Sequence, residues 1–309
     1  MTTVWLPDLP QSFGGLPDGM TADVWTGGEP LPDSAAEVEV IVMPFRVRPE
    51  LIAKVARLPK LKLIQLRSAG AEAVLPHVPD NVTVCNARGA HDPATAEWVV
   101  GAIVAHLRNL PRFALAQQEG RWDPAQSESV AGKHVLIVGY GSIGAAVERR
   151  LQGWEVTVER VARRARPETE GGPMIRGTDE LPDALPRADV VVLLLPVTDE
   201  TRGMADAKFL ATMKDGALLV NAARGPIVDT GALLKELNSG RLGAALDVTD
   251  PEPLPDGHPL WRAPGLLLTP HVGGMVRTGL GRANAVVRAQ LGRYAAGEPL
   301  ANVIGEQGY

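Results

Sequence analysis

The stretch HVLIVGYGSIGAAVERRL, from His134 to Leu151, restricts what this chain can fold into more than any other part of it. Val135 to Val138 are apolar without alternation, the pattern of a parallel strand buried on both faces, and the spacing then turns helical through Ile143, Val147 and Leu151. Between strand and helix lie Gly139, Gly141 and Gly144. In a strand–turn–helix unit with this spacing, the first glycine makes the tight turn and the second lets the backbone approach a pyrophosphate. The third brings helix and strand together. The helix start at Ser142 and Ile143 offers unpaired N–H groups and a positive dipole end to an anion. A dinucleotide-binding α/β domain is the expectation.

A chain of 309 residues suits two domains, each able to bury its own core. A net charge of -5 and a pI near 5.7 leave no basic footprint for nucleic acid. Mean hydropathy of zero and the lack of a long apolar run predict no membrane span. MTTVWLPDLP at the start lacks the basic and apolar regions of a secretion signal. Cys85 is the one cysteine, so neither an internal disulfide nor a thiolate metal cluster is available. A reducing, cytoplasmic setting is expected, with no bound metal.

Before the glycine motif the chain alternates short strand and helix candidates. Glu37 to Met43, Leu63 to Leu66 and Val82 to Cys85 read as strands, and Pro49 to Leu58 reads as a helix opened by proline. The loop Arg67 to Glu72, RSAGAE, follows a strand and sets small residues where backbone N–H groups can face a ligand. A long helix is expected from Pro93 to Leu110, entered by Asp92 as N-cap, with Trp98 and His106 on it as packing residues. After the motif, apolar runs recur at Val156 to Val158, Val190 to Leu195, Ala217 to Val220, Ala244 to Leu246 and Leu266 to Leu268. With the first strand they predict a six-stranded, doubly wound parallel sheet.

Ligands of such sheets bind beyond the carboxyl ends of the strands. There the sequence puts Pro196-Val197-Thr198, then Asn221-Ala222-Ala223-Arg224-Gly225, then Asp247 with Asp250-Pro251-Glu252-Pro253, then Thr269-Pro270-His271. A histidine, a carboxylate to hold it and a guanidinium able to grip a carboxylate are the parts needed to move a proton while a nicotinamide moves a hydride. His77, His91, His134 and His258 lack such company in the sequence, and no zinc-ligand spacing occurs.

Through VGYGSIG, MKDGALLVNAARGPIVDTGALLKEL, GAALDVTDPEPLP and TPHVGG, in that order, the chain resembles the D-isomer-specific 2-hydroxyacid dehydrogenase family. That resemblance implies a Rossmann domain over 94–275, inserted into a smaller flavodoxin-like α/β substrate domain formed by 1–93 and 276–309. It implies a homodimer, and catalysis by His271 as acid/base, Glu252 as its partner and Arg224 on the substrate carboxylate and carbonyl. The backbone amides of Ala69, Gly70 and Ala71 would take the other carboxylate oxygen. Around the cofactor it implies Gly139, Gly141, Ser142, Ile143, Gly144, Pro196, Thr198, Ala223 and Gly273, with Asp247 facing the nicotinamide side.

The reaction so implied is reduction of a small 2-keto acid to the D-2-hydroxy acid, with glyoxylate and hydroxypyruvate the leading substrates. Closure of the two domains about hinges near Asp92 and Met275 is expected to accompany it. Formate dehydrogenases share the Arg/His pair but carry Gln where this chain has Glu252. A dinucleotide-sensing protein of the corepressor type would keep the same site residues. Phosphoglycerate dehydrogenase proper often adds a regulatory domain, for which a chain ending at Tyr309 is expected to have no room. For cofactor choice, an acid about 20 residues past the first glycine marks NAD. Counting from Gly139 reaches Glu159, whereas aligning Val156 as the strand start puts Arg160 there, followed by Arg163 and Arg164. Three arginines so close together suit a 2′-phosphate, so NADP is expected over NAD, with Arg160 and either Arg163 or Arg164 as the clamp.

Overall fold

The computed structural model describes residues 1–169 and 172–305; positions 306–309, the end of the expected substrate domain, lie outside the described residues. The chain divides into two compact units, Met1–His91 with Val276–Tyr309, and Asp92–Met275.

The first unit is built on strands β1 (Thr2–Leu6), β2 (Met20–Val24), β3 (Val38–Met43), β4 (Leu63–Leu66) and β5 (Thr83–Cys85), with helix α1 (Pro49–Val55) between β3 and β4. They form a parallel sheet in the order β2-β1-β3-β4-β5, the flavodoxin-like arrangement. Trp5, Ile41 and Ile64 face Leu51, Ile52 and Val55 of α1. The opposite face puts Val4, Leu6 and Cys85 against Val287 and Leu291 of the last helix, Gly279–Ala296. The C-terminal segment thus completes the core that the N-terminal segment begins. Burial pushes the Cys85 thiol up to about 11, so it stays protonated and is no nucleophile. Strand β1 escapes a reading by alternation because TTVWL mixes polar and apolar residues on both faces, whereas MTADV of β2 does alternate over its five residues.

In the second unit follow α2 (Asp92–Leu107), α3 (Leu110–Gln118), β6 (His134–Val138), α4 (Ser142–Leu151), β7 (Thr157–Val161), β8 (Arg166–Pro167), β9 (Met174–Ile175), α5 (Leu181–Ala184), β10 (Val190–Leu193), α6 (Ala207–Thr212), β11 (Leu218–Asn221), α7 (Thr230–Asn238), β12 (Gly243–Leu246) and β13 (Leu266–Leu268). The last helix of the chain is then α8. The sheet order is β7-β6-β10-β11-β12-β13, parallel throughout. On one face Val99, Ile103, Val147 and Leu151 of α2 and α4 cover Val135, Ile137, Val192 and Val220. On the other, Leu210, Leu233 and Leu237 of α6 and α7 cover Leu136, Val191, Leu193 and Leu219. Burial on both faces is why these strands are apolar without alternation.

Two expectations need correction. The long helix is broken: α2 stops at Leu107 and Asn109 takes a left-handed φ of 54°. The next helix then begins with Pro111 in its first turn. Proline supplies no N–H and disfavours a helical residue before it, so the chain restarts there. The strand expected at Val156 to Val158 runs instead from Thr157 to Val161. It carries Glu159 and Arg160 inside the sheet because each is neutralised on its own face. Beyond it, a parallel bridge between Val161 and Arg176 adds the trace of a further strand on the outer edge.

His106 on α2 occupies the space that a Cβ at Gly243 would need, so β12 has glycine there. Burial lowers the pKa of His106 from the ordinary 6.5. The unfolded chain then binds this proton at a pH where the fold does not. Stability falls as pH drops through the ordinary imidazole value, by at most ~1.4 kcal/mol per pH unit from this group. Urea unfolding at pH 7.5 and pH 5.5 is expected to show a larger loss for the wild type than for His106→Gln; equal losses would remove His106 from the account.

Candidate active site

The glycine turn sits at the carboxyl end of β6. Gly139 has φ +102° and donates its N–H to Val161 O (2.9 Å). A Cβ there would lie 2.6 Å from the Leu194 backbone, so the turn fits between β7 and β10 only as glycine. At Gly144 a Cβ would come within 3.0 Å of Gly139 O and 3.2 Å of Ile137 Cγ2, the close approach of helix to strand. Nothing stands within 4 Å of a Cβ at Gly141, which opens α4 with no side-chain cap. An open turn beside an uncapped first helical turn, Ser142 and Ile143, fits a dinucleotide pyrophosphate.

Along the same strand ends the chain builds a charged rim. At the end of β11, buried Asn221 folds the turn: its Oδ1 accepts from Ala223 N (3.0 Å) and its Nδ2 donates to Arg224 O (3.0 Å). The half-buried Arg224 side chain donates to Ala223 O (2.7 Å). Gly225 is glycine because the Thr249 carbonyl occupies the position of a Cβ, which locks this turn against the one after β12.

Asp247, the first residue after β12, is 4% exposed and organises the segment that carries His271. Its Oδ1 accepts from Thr269 Oγ1 (2.6 Å) and Val272 N (2.9 Å), its Oδ2 from Gly273 N (2.8 Å), and its backbone oxygen from His271 N (2.7 Å). A Cβ at Gly273 would lie 2.8 Å from that Oδ2 and 3.3 Å from Trp98 Cγ, so any side chain would break the contact. His271 has φ 54°, a left-handed conformation that costs a non-glycine residue on the order of 1 kcal/mol and persists where surroundings over-determine it. Its Nδ1 lies 2.6 Å from Glu252 Oε1, and both side chains are open to solvent, at 46% and 42% exposure. Fixing Nδ1 on a carboxylate leaves Nε2 as the nitrogen that can meet a ligand.

Beyond β10, Pro196 and Thr198 are drawn into a turn by Thr201, whose Oγ1 donates to Pro196 O (2.6 Å) and accepts from Thr198 N (2.8 Å). The Thr198 hydroxyl holds the Glu200 carboxyl below its ordinary pKa, with a smaller contribution from the charge of Arg163. Arg160 needs correction as a clamp residue. It lies within β7, not at its end, and grips Glu148 of α4 through Nε (2.7 Å) and Nη2 with 15% of its side chain exposed. The position that follows the strand is Ala162, with Arg163 and Arg164 next. Glu159 points to the opposite face, between His134 (3.0 Å), Arg176 (2.8 Å) and Arg187 (3.0 Å). His134 thus has the carboxylate and guanidinium company that sequence spacing hides. It stands at the amino end of β6, away from the edge where such sheets bind ligands.

In the first unit, Ala69, Gly70 and Ala71 follow β4. Ser68 Oγ donates to Gly70 O (2.7 Å) and Asn86 Nδ2 to Ala69 O (2.8 Å), which fixes the turn. Arg67 pairs with Asp8 (3.0 Å) and lies over the Phe45 ring (4.5 Å), and His91 Nε2 reaches Arg67 O (2.9 Å). Among the described residues no three His, Cys, Asp or Glu side chains gather as a metal site, and no helix is long and apolar enough to cross a membrane.

Residues 100–273 match the model of the D-isomer specific 2-hydroxyacid dehydrogenase NAD binding domain. A glyoxylate reductase of Thermofilum pendens is 35% identical over 69% of this chain and 66% of its own length. A D-isomer specific 2-hydroxyacid dehydrogenase of Xanthobacter autotrophicus Py2, solved with NADPH, is 31% identical with a TM-score of 0.83 over 98% of both chains. An NADPH-dependent glyoxylate/hydroxypyruvate reductase of Sinorhizobium meliloti, solved with NADP and sulfate, is 26% identical with a TM-score of 0.85 over all of both chains. The chain belongs to the D-isomer-specific 2-hydroxyacid dehydrogenase family, a family of NAD(P)-dependent oxidoreductases.

Because Asp247 Oδ1 and Oδ2 both accept backbone N–H groups, an amide there must turn a donor toward a donor. Asp247→Asn is expected to lower unfolding stability by about 1–3 kcal/mol. Chemical denaturation measures it; a change under about 0.5 kcal/mol would contradict the organising role of this carboxylate.

Proposed function

We propose that this protein reduces a small 2-keto acid to the D-2-hydroxy acid with NADPH, glyoxylate and hydroxypyruvate being the preferred substrates. The observation that carries the reading is the His271–Glu252 pair, 2.6 Å apart and open to solvent on a rim that also bears Arg224. When bound, the reduced nicotinamide supplies a hydride to the substrate C2. The protein supplies the rest. His271, held at Nδ1 by Glu252, donates the proton from Nε2 to the carbonyl oxygen, and the Glu252 carboxylate stabilises the imidazolium form that donates it. Arg224 grips the substrate carboxylate and offsets charge developing on the reacting oxygen. Glu252, being an acid where an amide would suffice for formate oxidation, favours the proton-transferring reaction.

For the cofactor, Gly139, Gly141, Ser142, Ile143 and Gly144 are assigned the pyrophosphate. Pro196, Thr198, Ala223, Asp247 and Gly273 flank the nicotinamide, with Asp247 acting by fixing the loop as well as by proximity. Arg163 and Arg164 take the 2′-phosphate. The NADPH and NADP bound in the Xanthobacter and Sinorhizobium proteins support this choice.

His271→Ala is expected to bind NADPH nearly as the wild type does while turnover on glyoxylate falls by about two to four orders of magnitude, the usual worth of a positioned acid. Stopped-flow binding and steady-state rates measure the two separately. Turnover within about threefold of wild type would dismiss His271 as the acid.

A further inference from the structure

Arg160 and Arg166 are committed to the protein itself. Arg160 holds Glu148 and lies over the Tyr140 ring (5.6 Å), and Arg166 donates to the carbonyl oxygens of Tyr140 (3.2 Å) and Arg164 (3.4 Å). Tyr140 stands between Gly139 and Gly141 and is 6% exposed. Its hydroxyl donates to Glu148 Oε2 (2.5 Å) and reaches Glu168 Oε1 (2.9 Å). Burial first, and then the two carboxylates, push its pKa up, so the phenol keeps its proton. A single clasp therefore joins α4, the glycine turn, β7 and the segment up to Glu168. The span between Arg160 and Arg166 contains Arg163 and Arg164.

We propose that Tyr140 and Glu168 are positioning residues for cofactor choice: they tie the segment from Ala162 to Glu168 to the glycine turn, and so present Arg163 and Arg164 to an adenosine 2′-phosphate. The inference rests on the NADPH reading above. Long arginine side chains on an untethered loop must be ordered when a phosphate binds, whereas a loop anchored at both ends has that cost largely removed beforehand. The pyrophosphate end of the ligand, met by the glycine turn and the first turn of α4, does not depend on that segment. Loosening the clasp from the outer side is therefore felt at the 2′-phosphate and little elsewhere.

Calorimetric titration with 2′,5′-ADP and with 5′-AMP separates the two. The wild type is expected to bind 2′,5′-ADP at least about tenfold more tightly than 5′-AMP. In Tyr140→Phe and in Glu168→Ala, the latter at an exposed position, affinity for 2′,5′-ADP is expected to fall about tenfold while that for 5′-AMP stays within about twofold. Equal weakening of both ligands would show general damage to the site and overturn the positioning role. So would an unchanged 2′,5′-ADP affinity in both variants. A wild type that binds the two ligands equally would remove the NADPH reading and this inference with it, whereas a preference kept in wild type and in both variants removes the inference alone.

Discussion

Everything proposed for the rim depends on one carboxylate. Asp247 follows β12 directly and is buried, and the four hydrogen bonds it receives from Thr269, His271, Val272 and Gly273 hold the chain through a left-handed turn at His271. A histidine does not keep that conformation unaided. The strand places Asp247, Asp247 places the loop, and the loop brings the imidazole to Glu252, which arrives on a separate loop. The neighbouring turn is tied in by the contact of Gly225 with Thr249, so Arg224 shares the same frame.

The unit contains two sets of histidine, carboxylate and guanidinium, and the difference between them is instructive. At the amino end of the sheet, Glu159 is 10% exposed and divided among three partners, His134, Arg176 and Arg187. Its charge is spent within the fold, which is how a charged residue comes to lie inside β7. At the carboxyl end, Glu252 pairs with His271 and both remain open to solvent. Residue types alone do not distinguish these clusters. Position on the sheet and the number of partners do.

Much of this was legible from the sequence because parallel strands buried on both faces leave continuous apolar runs, and the glycine spacing marks where such a run turns into a helix. The residues beyond β10, β11, β12 and β13 could be read as one rim for the same reason. What stayed hidden lay in pairs distant along the chain. The strand β7 looked finished at Val158 because Glu159 and Arg160 follow, and their partners His134, Arg176, Arg187 and Glu148 cannot be assigned by counting. That error of register put Arg160 at the position that Ala162 occupies. The bonding partners of Asn221, Thr201 and Thr269 escaped as well, since a polar residue at a strand end signals a turn without saying which carbonyl or amide it will hold.

The central claim is that the rim of Arg224, Glu252 and His271 delivers a proton and positions a 2-keto acid for reduction. The most direct measurement is NADPH consumption by the purified wild type with glyoxylate, hydroxypyruvate, pyruvate and bulkier 2-keto acids, followed by chiral analysis of the product formed from hydroxypyruvate. The account predicts consumption strongest with the two small substrates and a product of the D configuration. No consumption with any 2-keto acid, or an L product, would contradict it.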